Sequence, residues 1–350
     1  MREPIHRAGW RRRRALAELA SCELASYAVA SLPWLLVAAA AGAPRAQEAP
    51  SAGVFRVVDL GDRVRVEQRD ALVTEYRYRG QPKPILYPLH GPGGVAVTRQ
   101  WPLAEAPGEE RDHQHHRALW FAHGAVNGHD FWAEHAESGQ IEHAAWLEAT
   151  AEGATAVLRT RNVWRAHDGA TVCHDERRLC FYDVADAVLF DYDVTLLATE
   201  GPLRLGDTKE GTMAIRLAPT LRLRGDVAAG HCVNAAGDRD GDVWGQRAGW
   251  VDYYGPIDGG VVGVAIFDHP ENVAHPTWWH ARDYGLFAAN PFGAHDFEDA
   301  PAGTGDVVVP AGESLTLRYR FFLHRGDTEA AAVAARFDDY ASAGASEDER

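Results

Sequence analysis

The stretch "RDHQHHRALWFAHGAVNGHDFW", residues 111–132, concentrates side chains that bind metals or transfer protons. Its chemistry-bearing residues are Asp112, His113, His115, His116, Arg117, His123, His129 and Asp130. A neutral imidazole exchanges protons near neutral pH, and it also ligates zinc, copper and iron. The stretch therefore indicates a metal centre, a proton-transfer centre, a sugar-binding loop or a hydrogen-bonded loop with a structural role.

Three later segments also interrupt the strand pattern with polar groups: "GDTKEG" (206–211), "WGQRAGWVDYYGP" (244–256) and "HPTWWHARDYGLFAANPFG" (275–293). Binding groups of β proteins tend to lie on loops held by a rigid scaffold. We expect these segments and the histidines to form one pocket walled by tryptophan. The residues predicted to converge there, as catalytic groups, are His113, His115, His116, Glu210 and His280.

A metal is the first possible chemistry. His113 and His115 share a side of an extended segment, so together they are able to chelate a metal. Glu210 is the candidate third ligand and His280 the fourth, a set that suits zinc, copper or iron. No H-E-x-x-H spacing accompanies them.

Proton transfer on a sugar is the second possible chemistry. His113 or His116 would act with Glu210 or Asp207, as an imidazole paired with a carboxylate. Lys209 would polarise a carbonyl oxygen, and Arg282 would hold a hydroxyl or a carboxylate. The predicted substrate-binding residues are Asp112, Arg117, Asp207, Lys209, Trp250, Trp279, Arg282 and Asn290.

Each of these assignments has a structural alternative. Arg117 and Asp112 would form a buried pair that holds the loop, and the tryptophans would fill the core. If the site is solvated instead, Trp250 and Tyr253 would form its floor. In that case alanine at His116 or Glu210 should abolish activity and leave the melting temperature nearly unchanged.

Composition narrows the function classes. The 350 residues carry a formal net charge of -15, which disfavours nucleic acids and anionic membranes as partners. Glycine-rich nucleotide loops are absent, so no nucleotide cofactor is expected. The G-x-S-x-G nucleophile motif is also absent. A small molecule, above all a carbohydrate, is the expected partner.

The N-terminus is typical of a signal peptide. Four arginines (11–14) precede an uncharged stretch (25–43) that ends in small residues, so we expect residues 1–46 to be removed and the protein to be periplasmic or secreted. An uncleaved membrane anchor is the alternative.

Three cysteines remain after removal of residues 1–46. Cys173 and Cys180 would face opposite sides of one strand, which favours buried packing over a disulfide.

The remaining chain predicts an all-β fold. Segments such as "ESLTLRYRFFLHRG" alternate apolar and polar residues with period two. One helix is predicted from Asp327, with Asp327 or Thr328 as its cap and Val333 and Phe337 facing the core. We expect a single large antiparallel β-supersandwich over residues 54–342, with a short C-terminal helix and a flexible tail at 343–350.

Three motifs, "DHQHHRALWFAHGAVNGHDFW", "GDTKEG" and "HARDYGLFAANPFG", together resemble the bacterial family catalogued as methane oxygenase PmoA. The resemblance covers about residues 54–325. That name implies a membrane copper enzyme with many spanning helices, whereas this chain has at most one such segment, so we expect the name to be a misnomer. The chain also looks like galactose-mutarotase-type supersandwiches, which implies a concave sheet that binds sugar beside histidine and carboxylate groups.

These observations predict an exported carbohydrate-active or carbohydrate-binding protein with a histidine and carboxylate site. Two alternatives stay open. One is a metal-dependent oxidoreductase, of the oxygenase type, that uses the same histidines. The other is a sugar-binding module without catalysis.

Overall fold

The alternating pattern that begins near residue 54 forms strands in the computed structural model, which describes residues 53–343. Two eight-stranded sheets contain most of these strands, and every strand pairing in them is antiparallel. A small third sheet joins β10 (Leu203–Leu205) to β17 (Val307–Val309). The predicted fold class, a large antiparallel β-sandwich, is confirmed.

The first sheet carries the segments singled out for chemistry. In spatial order its strands are β1 (Phe55–Asp59), β2 (Arg63–Gln68), β3 (Ala71–Arg77), β4 (Ile85–Leu89), β5 (Leu119–His123), β11 (Gly211–Arg216), β16 (Leu286–Asn290) and β15 (Trp278–Ala281). Strands β5, β11, β16 and β15 are therefore neighbours although they come from distant parts of the chain. This order brings the ends of the three motifs together.

The second sheet is built mainly from long hairpins. In spatial order its strands are β12 (His231–Asn234), β13 (Trp250–Ile257), β14 (Gly260–Asp268), β18 (Ser314–Arg325), β9 (Val188–Leu197), β8 (Thr171–Tyr182), β7 (Thr155–Arg165) and β6 (Gln140–Glu152). The hairpin predicted at "HDG" joins β7 to β8, as expected. In β18 the residues Leu317, Tyr319, Phe321 and Leu323 are buried, which matches the predicted apolar face.

The main core lies between the two sheets. Phe121 of β5 packs against Trp164 of β7 with 6.2 Å between ring centroids, and Phe190 stacks on Phe321 at 5.0 Å. Cys173, Cys180 and Cys232 are free and buried, so the prediction of buried packing is confirmed. Burial of large apolar side chains at about 25 cal/mol per Å² is the main force holding such sheets together.

Helices are few in the described residues. They are α1 (Ala294–Glu298), α2 (Val333–Ala343) and two short 3-10 turns (Pro219–Leu221, Asp240–Val243). Helix α2 begins six residues later than predicted, because Asp327 accepts the amide of Ala330 and Thr328 donates to Asp252. These bonds hold residues 327–332 as turns on the second sheet.

Helix α2 covers part of the outer surface of the second sheet. Val333 and Tyr340 are buried there beside Phe267, and Phe337 packs against the same cluster. Among residues 53–343, no helix is long and apolar enough to cross a membrane. The predicted signal peptide (1–46) and all but the first residue of the predicted tail (343–350) lie outside the described residues, so these domain bounds stay predictions.

Candidate active site

The site lies on the face of the first sheet that points away from the main core. Cross-strand pairing places one row of residues on this face: Trp120 in β5, Ala214 in β11, Ala288 in β16 and His280 in β15. Successive side chains of a strand point to opposite faces. Because Phe121 faces the second sheet, the row with Trp120 and His280 faces the other way, under the loop that precedes β5.

That loop, residues 112–117, is called the histidine loop here. His113 stacks on His116 at 4.8 Å between ring centroids, and His115 meets His116 edge-on at 4.4 Å. His113 also stacks on Tyr284, in the turn between β15 and β16, at 5.0 Å. The loop is thus packed ring on ring between β5 and the β15–β16 turn.

Asp112 anchors the loop through two buried arginines. Arg99 donates to one carboxylate oxygen, and Arg216 of β11 donates to both, at 2.7 and 3.0 Å. Burial alone would raise the pKa of Asp112, but Arg216 and its hydrogen bonds outweigh burial and lower that pKa to about 2. Asp112 is therefore an anion at every physiological pH.

The same carboxylate orients His113. Nδ1 of His113 lies 2.8 Å from the second carboxylate oxygen of Asp112, and an anion there accepts the Nδ1 proton. The lone pair of neutral His113 is then on Nε2, and 41% of this side chain is exposed. The backbone of His113 has φ 43, a conformation that costs a non-glycine residue energy and that accumulates at functional sites.

His116 is held differently. Arg216 donates to its Nδ1 at 3.0 Å, so the ring is neutral with its proton on Nε2. Burial is the largest cause that lowers the pKa of His116 well below its usual value, and the charge of Arg216 lowers it further. With only 1% of the residue exposed, His116 is a packed support of the loop.

His115 is neutral for a related reason. Burial and the charge of Lys83 lower its pKa to about 4. Lys83 is itself buried, and it donates to the carbonyl of Trp132 at 2.8 Å and pairs with Glu134 at 3.3 Å. Burial lowers the pKa of Lys83 to about 8.

The opposite wall comes from "GDTKEG" and from β15. Glu210 directly precedes β11, and 39% of its side chain is exposed. Burial raises the pKa of Glu210 against the opposing charge of Lys209, and Asp130 and Asp296 raise it further. His280 donates from Nδ1 to the carbonyl of Lys209 at 2.9 Å.

Together these walls enclose a cleft of about 590 Å³. It is lined by His113, His115, His116, Asp130, Trp132, Ala133, His135, Lys209, Glu210, Arg224, His280, Arg282, Asp283 and Tyr284. The expected convergence of the three histidines with Glu210 and His280 is found. Their chemical roles stay predictions.

Several residues predicted to bind substrate do not line the cleft. Trp279 is fully buried on the core face, where Nε1 donates to the carbonyl of Ala248. Trp250 belongs to the cluster beneath α2, and Tyr253 is buried in the main core. The prediction that Trp250 and Tyr253 form the floor of the site is wrong, because both side chains point into apolar layers.

Two more of these predicted residues, Asn290 and Asp207, form hydrogen bonds within the protein instead. Asn290 is fully buried and donates to the carbonyl of Thr208 at 2.8 Å. Asp207 accepts the amides of His295 and Gly305, both at 2.9 Å. These bonds shape the "GDTKEG" loop from behind the cleft.

The predicted pair between Arg117 and Asp112 is also wrong. Arg117 forms a bidentate pair with Glu134, at 2.8 and 2.7 Å, whereas Asp112 pairs with Arg99 and Arg216. Asp112 is therefore a support of His113, outside the cleft lining.

The donor set does not fit a metal. Within residues 53–343, no three His, Cys, Asp or Glu side chains are arranged to hold an ion, so the proposed set of His113, His115 and Glu210 is not assembled. Nδ1 of His116 is occupied by Arg216 and Nδ1 of His280 donates to a carbonyl. Two buried guanidinium groups beside the histidines would also repel a divalent cation.

Arg99 and Arg216 are the supporting residues that sequence reasoning missed. Arg216 interrupts the apolar run "TMAIRLA", and a single charge in such a run is rarely buried without a partner. That signal was present in the sequence. The identity of the partner, 104 residues away, was not.

Comparison with known families adds one result. A model of the family of unknown function DUF6807 matches residues 63–338. The chain belongs to this family. The matched region contains every residue of the cleft. No match to the methane oxygenase family is shown, and no curated protein matches the chain.

Solved structures give remote likenesses. A galactose mutarotase-like protein from Lactobacillus casei has 8% identity and a TM-score of 0.35, over 77% of this chain and 100% of the other. A galactose mutarotase related enzyme from Lactobacillus acidophilus has 8% identity and a TM-score of 0.32, over 78% and 98%. Likenesses this low carry no argument about what this family member does.

Proposed function

We propose that this protein, exported as its N-terminus indicates, binds a sugar in the cleft and transfers protons on it. The observation that carries the proposal is the Asp112–His113 pair, which opens into the same cleft as Glu210. One group is arranged to accept a proton and the other to give one. A pair of titratable groups in unlike environments is the usual arrangement for acid and base work on one substrate.

His113 is the proposed base. Because Asp112 takes the Nδ1 proton, Nε2 presents its lone pair, and the carboxylate stabilises the imidazolium that forms. Arg99 and Arg216 keep Asp112 charged and in place. His113 acts on a hydroxyl or a C–H group of the bound sugar.

Glu210 is the proposed acid. Its raised pKa keeps the carboxyl protonated to a higher pH than an exposed glutamate, so it is able to donate to a leaving or ring oxygen. Lys209 lies 3.9 Å from Glu210 and would stabilise the carboxylate left after transfer.

The cleft suits a sugar in size and lining. A volume of about 590 Å³ is within the range of small-molecule sites. Its polar residues present both donors and acceptors, as a ring of hydroxyls requires.

Substitution at the two proposed catalytic residues tests the function. We expect His113→Asn and Glu210→Gln each to lower turnover of a sugar substrate by about 100-fold or more, since a positioned acid or base contributes on this scale. The melting temperature should change little because both side chains are partly exposed. Turnover is measured on a panel of aldoses and glycosides.

The matched control is His167→Asn, in the exposed turn between β7 and β8, which should keep full turnover. Wild-type levels in both site variants would contradict the proposal. Sugar binding without turnover by the wild-type protein would instead identify a binding module.

His116→Ala is not a clean test, contrary to the expectation from sequence. His116 is buried, stacks on His113 and accepts a hydrogen bond from Arg216. Its removal leaves a cavity and an unpaired buried guanidinium nitrogen, so the melting temperature should fall with the activity.

A further inference from the structure

Arg282 is held in the cleft by aromatic rings. It follows β15, and its guanidinium carbon lies 5.7 Å from the ring centroid of Trp244 and 5.6 Å from that of Tyr284. The side chain is half-buried and lines the cleft. Contacts with two rings restrict the guanidinium without using its N–H donors.

The other two cations of the cleft are already compensated. Lys209 pairs with Asp296 at 3.6 Å, and it also lies 3.9 Å from Glu210. Arg224 pairs with Asp283 at 3.2 Å. In contrast, the Arg282 guanidinium has no carboxylate and no hydrogen-bond acceptor among the described residues 53–343.

The charge of Arg282 affects its neighbour. After burial, Arg282 is the largest cause that lowers the pKa of His280, to about 3. A partly desolvated, unpaired guanidinium beside a buried neutral histidine favours an anionic ligand. Such a ligand would accept hydrogen bonds from the guanidinium N–H groups and compensate the positive charge. A sugar hydroxyl would satisfy a donor but leave the charge uncompensated.

We propose that the substrate is an acidic sugar, such as a hexuronic acid, whose carboxylate binds Arg282. This inference rests on the proposed function of the same cleft and narrows its substrate class. The planar guanidinium matches a carboxylate with two parallel hydrogen bonds. A single uncompensated cation matches one negative charge, whereas a phosphate monoester carries close to two.

Binding of matched ligands tests the proposal. Hexuronates, the corresponding neutral hexoses and the hexose 6-phosphates are titrated into wild-type protein by calorimetry. We expect one hexuronate to bind at least about 10-fold more tightly than its neutral hexose. Arg282→Gln should weaken hexuronate binding by about 10- to 100-fold and change neutral hexose binding little, and Arg282→Lys should retain part of the affinity.

Arg247→Gln is the matched control. Arg247 also stacks on a tryptophan, Trp278 at 4.5 Å, but it lies outside the cleft and donates to the carbonyls of Ala274 and Pro276. Hexuronate affinity should be unchanged in this variant. Melting temperatures of all variants verify that they are folded.

Three results would overturn the inference. Equal binding of neutral and acidic sugars, unaffected by Arg282→Gln, would refute the carboxylate contact and leave the proposed function standing. A preference for the sugar phosphates would assign a different anion. If the wild-type protein binds no sugar of any kind, the inference and the proposed function are both wrong.

Discussion

At the scale of single residues, the site depends on a series of three hydrogen-bonded side chains, Arg216, Asp112 and His113, that runs from the sheet to the solvent. Arg216 is fully buried in β11, Asp112 lies above it, and His113 is partly exposed at the end. The arginine keeps the carboxylate ionised, and the carboxylate sets the tautomer of the imidazole. Such support behind a reacting group usually matters almost as much as the group itself.

Arg216→Lys tests this chain. A lysine keeps the charge but is unable to donate to both Asp112 and His116 in the fixed geometry of a guanidinium, so His113 should lose its orientation. Because Arg216 does not line the cleft, we expect kcat to fall by about 10-fold or more with KM nearly unchanged. Steady-state kinetics measures this, on whichever sugar of the panel of aldoses and glycosides the wild-type protein turns over.

Arg222→Lys is the corresponding control. Arg222 is also buried and pairs with Glu110, but it makes no hydrogen bond to the histidine loop. Its kcat should stay close to the wild-type value. An equal loss in both variants would show that any buried arginine in this region acts through stability alone.

At the scale of elements, the cleft exists because two strand ends meet. β5 ends at His123 where β11 begins at Gly211, and the amide of Gly124 donates to the carbonyl of Glu210 at 2.7 Å. A Cβ atom at Gly124 would lie 2.9 Å from Cβ of Glu210 and 3.1 Å from its carbonyl oxygen. The glycine therefore permits the close approach that places Glu210 in the cleft.

Gly124→Ala should displace Glu210. Since a misplacement of about 1 Å is able to cost about 100-fold in rate, we expect a large fall in turnover and a moderate fall in melting temperature. Gly241→Ala is the control, because a Cβ there meets no atom within 4 Å. Unchanged turnover in Gly124→Ala would show that the approach of the two strands is not needed for the reaction.

At the scale of the whole molecule, many histidines are buried or half-buried as neutral rings. Burial is the largest cause of a lowered pKa at His115, His116, His123, His143, His269 and His280. In the unfolded chain each would titrate near pH 6.5. As the pH falls below that value, the unfolded chain takes up protons that the folded protein does not.

The free energy of unfolding should therefore be greatest above about pH 6.5 and should decrease steadily from there toward about pH 4. Each buried histidine contributes on the order of 1 kcal/mol per pH unit in this window. Asp112 acts at lower pH, because its pKa of about 2 lies below that of an unfolded aspartate, and its contribution is lost below about pH 4. Urea unfolding at a series of pH values measures both effects.

His123→Gln isolates one part of this dependence. Nε2 of His123 donates to the carbonyl of Gly206 at 2.8 Å, and a glutamine amide is able to donate there without ionising. The loss of stability between about pH 7 and pH 5 should be smaller in this variant than in the wild-type protein. An equal loss of stability in both proteins between these pH values would contradict the account.

Local pattern was sufficient to predict most of the fold and part of the cleft lining, namely most of its histidines, Lys209, Glu210 and Arg282. Alternation of apolar and polar residues predicts β18 and the hairpin of β7 and β8, because side chains of a strand alternate between two faces wherever the strand lies. The density of histidines at residues 113–116 predicts a functional loop on similar local grounds. These inferences need no knowledge of neighbouring strands.

Only the tertiary structure decided which distant residues pair with each other and to which face of the sheet each side chain points. Alternation shows that Trp278 and Trp279 point to opposite faces, but not which face meets the second sheet. The order β5, β11, β16 and β15 decides that, and it places Trp279 in the core and His280 in the cleft. The same order brings Arg216 to Asp112 across 104 residues. Long-range strand pairing depends on the summed packing of both sheets, so no short segment of the sequence contains it.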